Sequence, residues 1–217
     1  MARSTRIDAA TNREIRPLSA TNPIIGLSFT ETRKVFQALA FAARKHSDQR
    51  CRDVEASPCI DHPIALADLL VNEGCVTDHV VLCAALLHDT IEDTETSHDE
   101  LVATFGREIA DVVREVTDDT TLGKAERRSR EIEHAPYLSA RARLVKIVDK
   151  TCTLRDLASK PPPDWTAERR QAYCTWAARV VARLGCDNQA LLAAFEAALV
   201  AGSVAPAPPP LLANDRR

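Results

Sequence analysis

The chain has 217 residues, enough for one sizeable buried core with tails. Its 45% apolar and 27% charged residues are the balance of a soluble globular protein, and a net charge of −3 makes no bulk case for nucleic-acid binding. Only 4% of residues are aromatic and six are glycine, which disfavours strands and hairpins and predicts an all-α fold, a single helical bundle with flexible tails.

Residues 1–28 mix polar, charged, Pro and Gly residues without helical periodicity and are expected to be a flexible lead-in, with no continuous apolar core that would make a signal peptide. The first helix is expected from near Thr30, with Val35, Leu39, Phe41 and Ala42 inward and Lys45-His46 in its last turn. A polar loop, Ser47 to Cys59, carries Arg50, Arg52, Asp53 and Glu55. Pro63 opens a second helix whose stripe reads Ile64, Ala67, Leu70 and Val71, ended by Gly74.

Thr77 to His88 follows, apolar on every side from Val80 to Leu87, and a helix with no polar face must be central. Shorter helices are expected over Ser97–Phe105 and Arg107–Thr117. The charge-dominated run Lys124–His134 predicts an exposed helix. Ala140–Leu157 sets Leu144, Ile147, Val148, Thr151 and Leu154 on one stripe, and Thr166–Leu184 and Asn188–Val200 close the bundle. Pro206 and Pro208–Pro210 stop helix formation, so the domain is expected over 29–202 and a disordered tail over 203–217.

No run approaches the roughly 18 apolar residues of a membrane span. Seven cysteines, an odd number without a CxxC pair, read as reduced thiols of a cytoplasmic protein, with Cys83 and Cys174 packing as small apolar residues.

The chemistry-bearing feature is His88-Asp89, an ionisable pair ending the wholly apolar helix. An isolated buried carboxylate is costly, and a divalent cation would accept both it and a neutral imidazole; the bland alternative is a helix end turning to solvent. His62, just before Pro63, is by itself a turn or capping residue, and Asp149, on a core-facing helix, is by itself a partner for Lys146 or Lys150. Together, two imidazoles and two carboxylates form a mixed nitrogen/oxygen set without thiolate, suited to Mn²⁺, Fe²⁺ or Zn²⁺. Glu92 and Asp93, one turn beyond, are placed to orient water or pass a proton. Glu95 and Asp99 read as acidic decoration of a helix exit. Arg50, Arg52, Lys124, Arg127, Arg128 and Lys150 are available to a polyanion.

The order His62, His88-Asp89, Asp149 resembles the H…HD…D pattern of the HD superfamily. Ile60-Asp61-His62-Pro63, Ala84 to Thr94, and Leu144 to Lys150 resemble the hydrolase domain of RelA/SpoT-type enzymes, as do Phe105-Gly106, Glu115 to Asp119 and Trp176-Ala177. The likeness spans about residues 30–200, as in the stand-alone small alarmone hydrolases.

It implies Mn²⁺ on His62, His88, Asp89 and Asp149, and removal of the 3′-pyrophosphate of guanosine 3′,5′-bis(diphosphate) or its pentaphosphate to give GDP or GTP. It implies a catalytic role for Glu92 and Asp93, and a nucleotide site lined by Arg52, Lys150, Thr153 and Tyr173. Cys51, Cys59 and Thr151-Cys152-Thr153 depart from the family's base-recognising residues, and cysteine cannot stack on a purine as a guanidinium does. Two alternatives therefore stand beside the guanine alarmone. One is another phosphorylated nucleotide, such as an adenine alarmone or NADPH; the other is a metal-binding but idle regulatory domain. No membrane or nucleic-acid partner is expected, and oligomeric state is left open.

Overall fold

A computed structural model describes residues 26–50 and 57–204. Arg52 and Cys51 lie outside the described residues, as do residues 1–25 and 205–217, which hold most of the expected lead-in and tail. Among the described residues the only β-type pairing is an isolated bridge between Arg50 and Pro58, and the rest is helical or loop.

Helix α1 (Phe29–Lys45) starts in a capping box: Ser28 Oγ accepts from the Glu31 amide at 3.3 Å, and Glu31 Oε2 accepts from the Ser28 amide at 2.7 Å. Its buried face is Ala38, Phe41 and Ala42, with Val35 and Leu39 half-buried.

Helix α2 (Asp61–Asn72) begins with Pro63 in its first turn, where a missing amide proton costs nothing. Its buried residues are Pro63, Leu66, Leu69 and Leu70; of the expected stripe Leu70 is buried and Ala67 half-buried, but Ile64 and Val71 are 43% and 46% exposed. Two apolar stripes overlap on this helix, and packing against the central helix selects the other one. The helix ends just before Gly74, as expected, and the left-handed conformation beyond it falls on Cys75 (φ 51°). A Cβ on Gly74 would meet the Leu70 carbonyl at 2.8 Å and the Leu191 side chain at 2.9 Å, so glycine is needed there for close approach.

Helix α3 (His79–Leu87) has Asp78 as its cap, accepting from the Val80 amide at 2.9 Å. Every residue from Val80 to Leu87 is buried. Around it pack α1, α2, α6 (Arg107–Val116) and α8 (Ala140–Ser159). The single turn α4 (Thr90–Asp93) and α5 (His98–Phe105) link α3 to α6, with Gly106 (φ 93°) at the sharp α5–α6 joint.

Helix α7 (Lys124–His134) is exposed along most of its length, as its charge predicts, but Glu131 is buried. A short 3₁₀ turn (Ala135–Tyr137) leads to α8, capped by Ser139. Leu144, placed on the core stripe of α8 by its spacing, is only half-buried, while Ile147, Val148, Thr151 and Leu154 are buried. Helix α9 (Ala167–Leu184) ends at Gly185, whose φ of 59° makes it a left-handed cap. Helix α10 (Gln189–Val204) lies along α8 and α9. It continues through Ser203 and Val204, past the expected break, because a proline at 206 restricts only the residue just before it. No helix among the described residues is long and apolar enough to cross a membrane. Cys83 and Cys174 are buried in the core, and no disulfide forms among the described cysteines.

Candidate metal centre and cleft

Three helices deliver the cluster. His62 sits in the first turn of α2, His88 immediately follows α3, and Asp149 lies midway along α8. One ligand atom from each of these three residues lies within 4.8 Å of the others. His62 Nε2 is 3.3 Å from Asp149 Oδ1, and the two imidazole rings are 5.4 Å apart at their centroids. Asp89 stands beside this set rather than inside it, with Oδ1 at 2.9 Å from His88 Nε2.

The donor set fits a divalent cation. His88 Nδ1 donates to the Ala85 carbonyl at 2.8 Å, which leaves Nε2 with its lone pair. That nitrogen is buried, and the Asp89 Oδ1 carboxylate oxygen sits 2.9 Å away. Two lone-pair atoms at this separation repel unless a proton or a cation lies near both. Burial works against an imidazolium, but Asp89 and Asp149 raise the His88 pKa to about 9. Burial likewise opposes ionisation of Asp149, yet Lys150 and both histidines hold its carboxyl well below the usual range. The field that retains the proton is the field that would attract a cation.

Glu92 and Asp93 lie on α4, one turn beyond Asp89. Partial burial, then the charge of Asp118, pushes the Glu92 carboxyl above its ordinary range; burial and Asp89 do the same to Asp93. Asp93 is the more open of the two, so solvent weakens the effect there. Glu92 Oε1 accepts from Arg127 and Oε2 from the Asp118 amide, both at 3.3 Å, which ties α4 to α7 and its preceding loop. Glu95 and Asp99 are exposed, in keeping with the acidic-decoration reading.

His88, Asp89, Glu92, Asp118, Lys146, Asp149 and Lys150 line a cleft of about 160 Å³. That is below the roughly 300–1,000 Å³ of sites enclosing a whole small molecule, and suits the reacting end of one.

Beyond Lys150, Tyr173 is buried beside Thr153, whose hydroxyl donates to the Asp149 carbonyl at 3.0 Å. Lys150 Nζ lies 4.4 Å from the Trp176 ring centroid, and the Arg128 guanidinium lies 4.8 Å from it. Lys150, Thr153 and Tyr173 are thus brought together.

Sequence reasoning passed over three residues. Lys146 and Glu131 are buried beside Lys150, but an i, i+4 lysine pair and a lone glutamate in a charged helix carry no motif. His46, read as a last-turn basic residue, is buried; its Nδ1 pairs with Gln49 Oε1 at 2.6 Å, and Gln49 donates to the Asp93 carbonyl at 2.7 Å. The signal for His46 was its position just after an inward apolar pair, Phe41-Ala42.

Residues 38–178 match the HD domain family, and this chain belongs to it. More particularly, it is 46% identical over 165 residues to the guanosine-3′,5′-bis(diphosphate) 3′-pyrophosphohydrolase MESH1 of Danio rerio, covering 76% of this chain and 92% of that protein. The Homo sapiens protein of the same name is 48% identical over 162 residues, covering 75% and 90%. The fold matches a solved structure of a metazoan ortholog of SpoT described as hydrolysing ppGpp, with a TM-score of 0.74 and 42% identity over 77% of this chain and 94% of that one.

Proposed function

We propose that this chain is a metal-dependent hydrolase that removes the 3′-pyrophosphate of guanosine 3′,5′-bis(diphosphate) or its pentaphosphate, yielding GDP or GTP and pyrophosphate. The observation that carries the reading is the His62–His88–Asp149 cluster flanked by Glu92 and Lys150, in a chain 46–48% identical to proteins named for that activity. His62, His88, Asp89 and Asp149 would hold the cation, with Mn²⁺ the metal of choice and Fe²⁺ or Zn²⁺ as alternatives. When bound, such a cation supplies a Lewis acid and makes water a better nucleophile near neutral pH.

The remaining chemistry falls to side chains. Hydrolysis forms a bond from water oxygen to the phosphorus next to the 3′ oxygen and breaks the bond between that phosphorus and the 3′ oxygen. The departing oxygen needs a proton and the water must lose one. Glu92, whose raised pKa keeps it protonated to higher pH than a free carboxyl, suits the donor role, with Asp93 as its partner in proton transfer. Arg52 would bind phosphate oxygens, with Lys150, already paired with Glu131 and Asp149, attracting them by its charge, and Tyr173 and Thr153 would line the nucleoside side. Burial opposes the Lys150 charge, but Asp149 and Glu131 hold its pKa well above the ordinary value, so it stays cationic. The HD-type phosphohydrolase domain, expected over 29–202, is taken to include the whole of α10 to Val204.

The test is hydrolysis of guanine and adenine alarmones and NADPH with Mn²⁺ added, with product identification. Pyrophosphate and GDP from the guanine substrate are expected. Failure to release pyrophosphate from it with any of the three metals would overturn the proposal.

A further inference from the structure

Glu131 is the single α7 residue that is buried. A carboxylate in that position contributes nothing to an apolar core and is costly unless paired. Its partners are two lysines of α8, one turn apart: Glu131 Oε1 lies 3.0 Å from Lys146 Nζ and 2.9 Å from Lys150 Nζ. Like charges at i, i+4 repel, and both lysines are buried, so this pair needs an anion between them.

Lys150 also reaches Asp149 Oδ2 at 2.9 Å, while the other oxygen of that carboxylate, Oδ1, faces His62. The Lys150 ammonium is therefore held from three directions, by Glu131, by Asp149 and by the Trp176 ring. Lys146 divides its contacts between Glu131 and Asp118, 3.5 Å away.

We propose that Glu131 is a positioning residue for the metal-binding carboxylate, acting through Lys150: it fixes the ammonium that ties down Asp149 Oδ2 and so turns Oδ1 toward the histidines. The inference rests on the proposed metal set. Without Glu131, Lys150 is free to follow Asp149 and compete with a cation for its oxygens. Partners one step removed from a metal ligand typically change metal affinity about 10–100-fold when lost.

Metal affinity separates this relay from its alternatives without recourse to turnover. Mn²⁺ binding is measured on the chelator-stripped full chain for wild type, His88→Ala, Glu131→Gln, Glu131→Asp and Glu126→Gln. His88→Ala tests the metal set itself: if it binds Mn²⁺ like wild type, that set is wrong and the relay falls with it. With the set intact, Glu131→Gln is expected to weaken binding about 10–100-fold, and Glu131→Asp, which keeps the charge but shortens the reach, to fall between the two. Glu126→Gln removes the same charge from an exposed site on α7 and should leave affinity unchanged. A Glu131→Gln affinity within about twofold of wild type overturns the relay. So does a Glu131→Asp affinity equal to wild type, since charge alone would then suffice. Should Glu131→Gln fail to fold, the aspartate variant decides the matter.

Discussion

Glu92 has two duties that pull on the same carboxyl. Its oxygens accept hydrogen bonds from Arg127 and the Asp118 amide, while burial and neighbouring carboxylates raise its pKa. A glutamine there keeps the shape and one of the two accepting oxygens but cannot exchange a proton. Glu92→Gln should therefore bind Mn²⁺ with wild-type affinity yet lose about two to four orders of magnitude in turnover, the usual scale for a missing acid–base group. Steady-state rates alongside metal titration check this; normal turnover would reduce Glu92 to a strut between α4 and α7.

At the scale of elements, α7 and α8 are joined by charge, and the turn after α2 meets α10 by close contact at Gly74 and Leu191. Burial opposes ionisation of Glu131, but Lys150 and Lys146 hold its carboxyl below its ordinary value of 4.5. Its contribution to stability is therefore present above that value and disappears as pH falls through the lower folded-state one. Glu131→Gln should be less stable than wild type at pH 7, with the gap narrowing as pH falls below the ordinary value of 4.5. Urea unfolding across pH reads this directly; a gap independent of pH would contradict it. Gly74→Ala drives a methyl against the Leu70 carbonyl and the Leu191 side chain, where neither the backbone nor the packed leucine yields easily. Such overpacking typically costs about 1–3 kcal/mol, so its unfolding midpoint in urea should fall without loss of metal binding.

For the whole molecule, the proposed cation joins α2, the α3 terminus and α8, so its binding should stabilise the entire bundle rather than one loop. At a free metal concentration about 100-fold above the dissociation constant, the gain is roughly 2.7 kcal/mol. For a domain of this size that corresponds to a rise of roughly 5–10 °C in Tm. Calorimetry of chelator-treated and Mn²⁺-loaded protein measures it; His88→Ala should show no such rise.

Much of this was legible in the chain. The all-round apolar run Val80–Leu87 demands burial in any fold, and so identifies both the central helix and His88 at its end. The scarcity of glycine and aromatic residues excluded strands for the same local reason. The choice between two overlapping stripes on α2 was not local, because Ile64 and Leu66 are equally apolar and only the position of α3 decides which is covered. Nor could spacing reveal that Glu131, in a helix of solvated charges, turns inward. The sequence alone determined the helices and their central member, and it singled out the His62, His88 and Asp149 that the fold draws together. Only tertiary structure decided which charges meet: an ion pair is made by residues distant along the chain, and its energy depends on separation and burial, neither of which a local pattern contains.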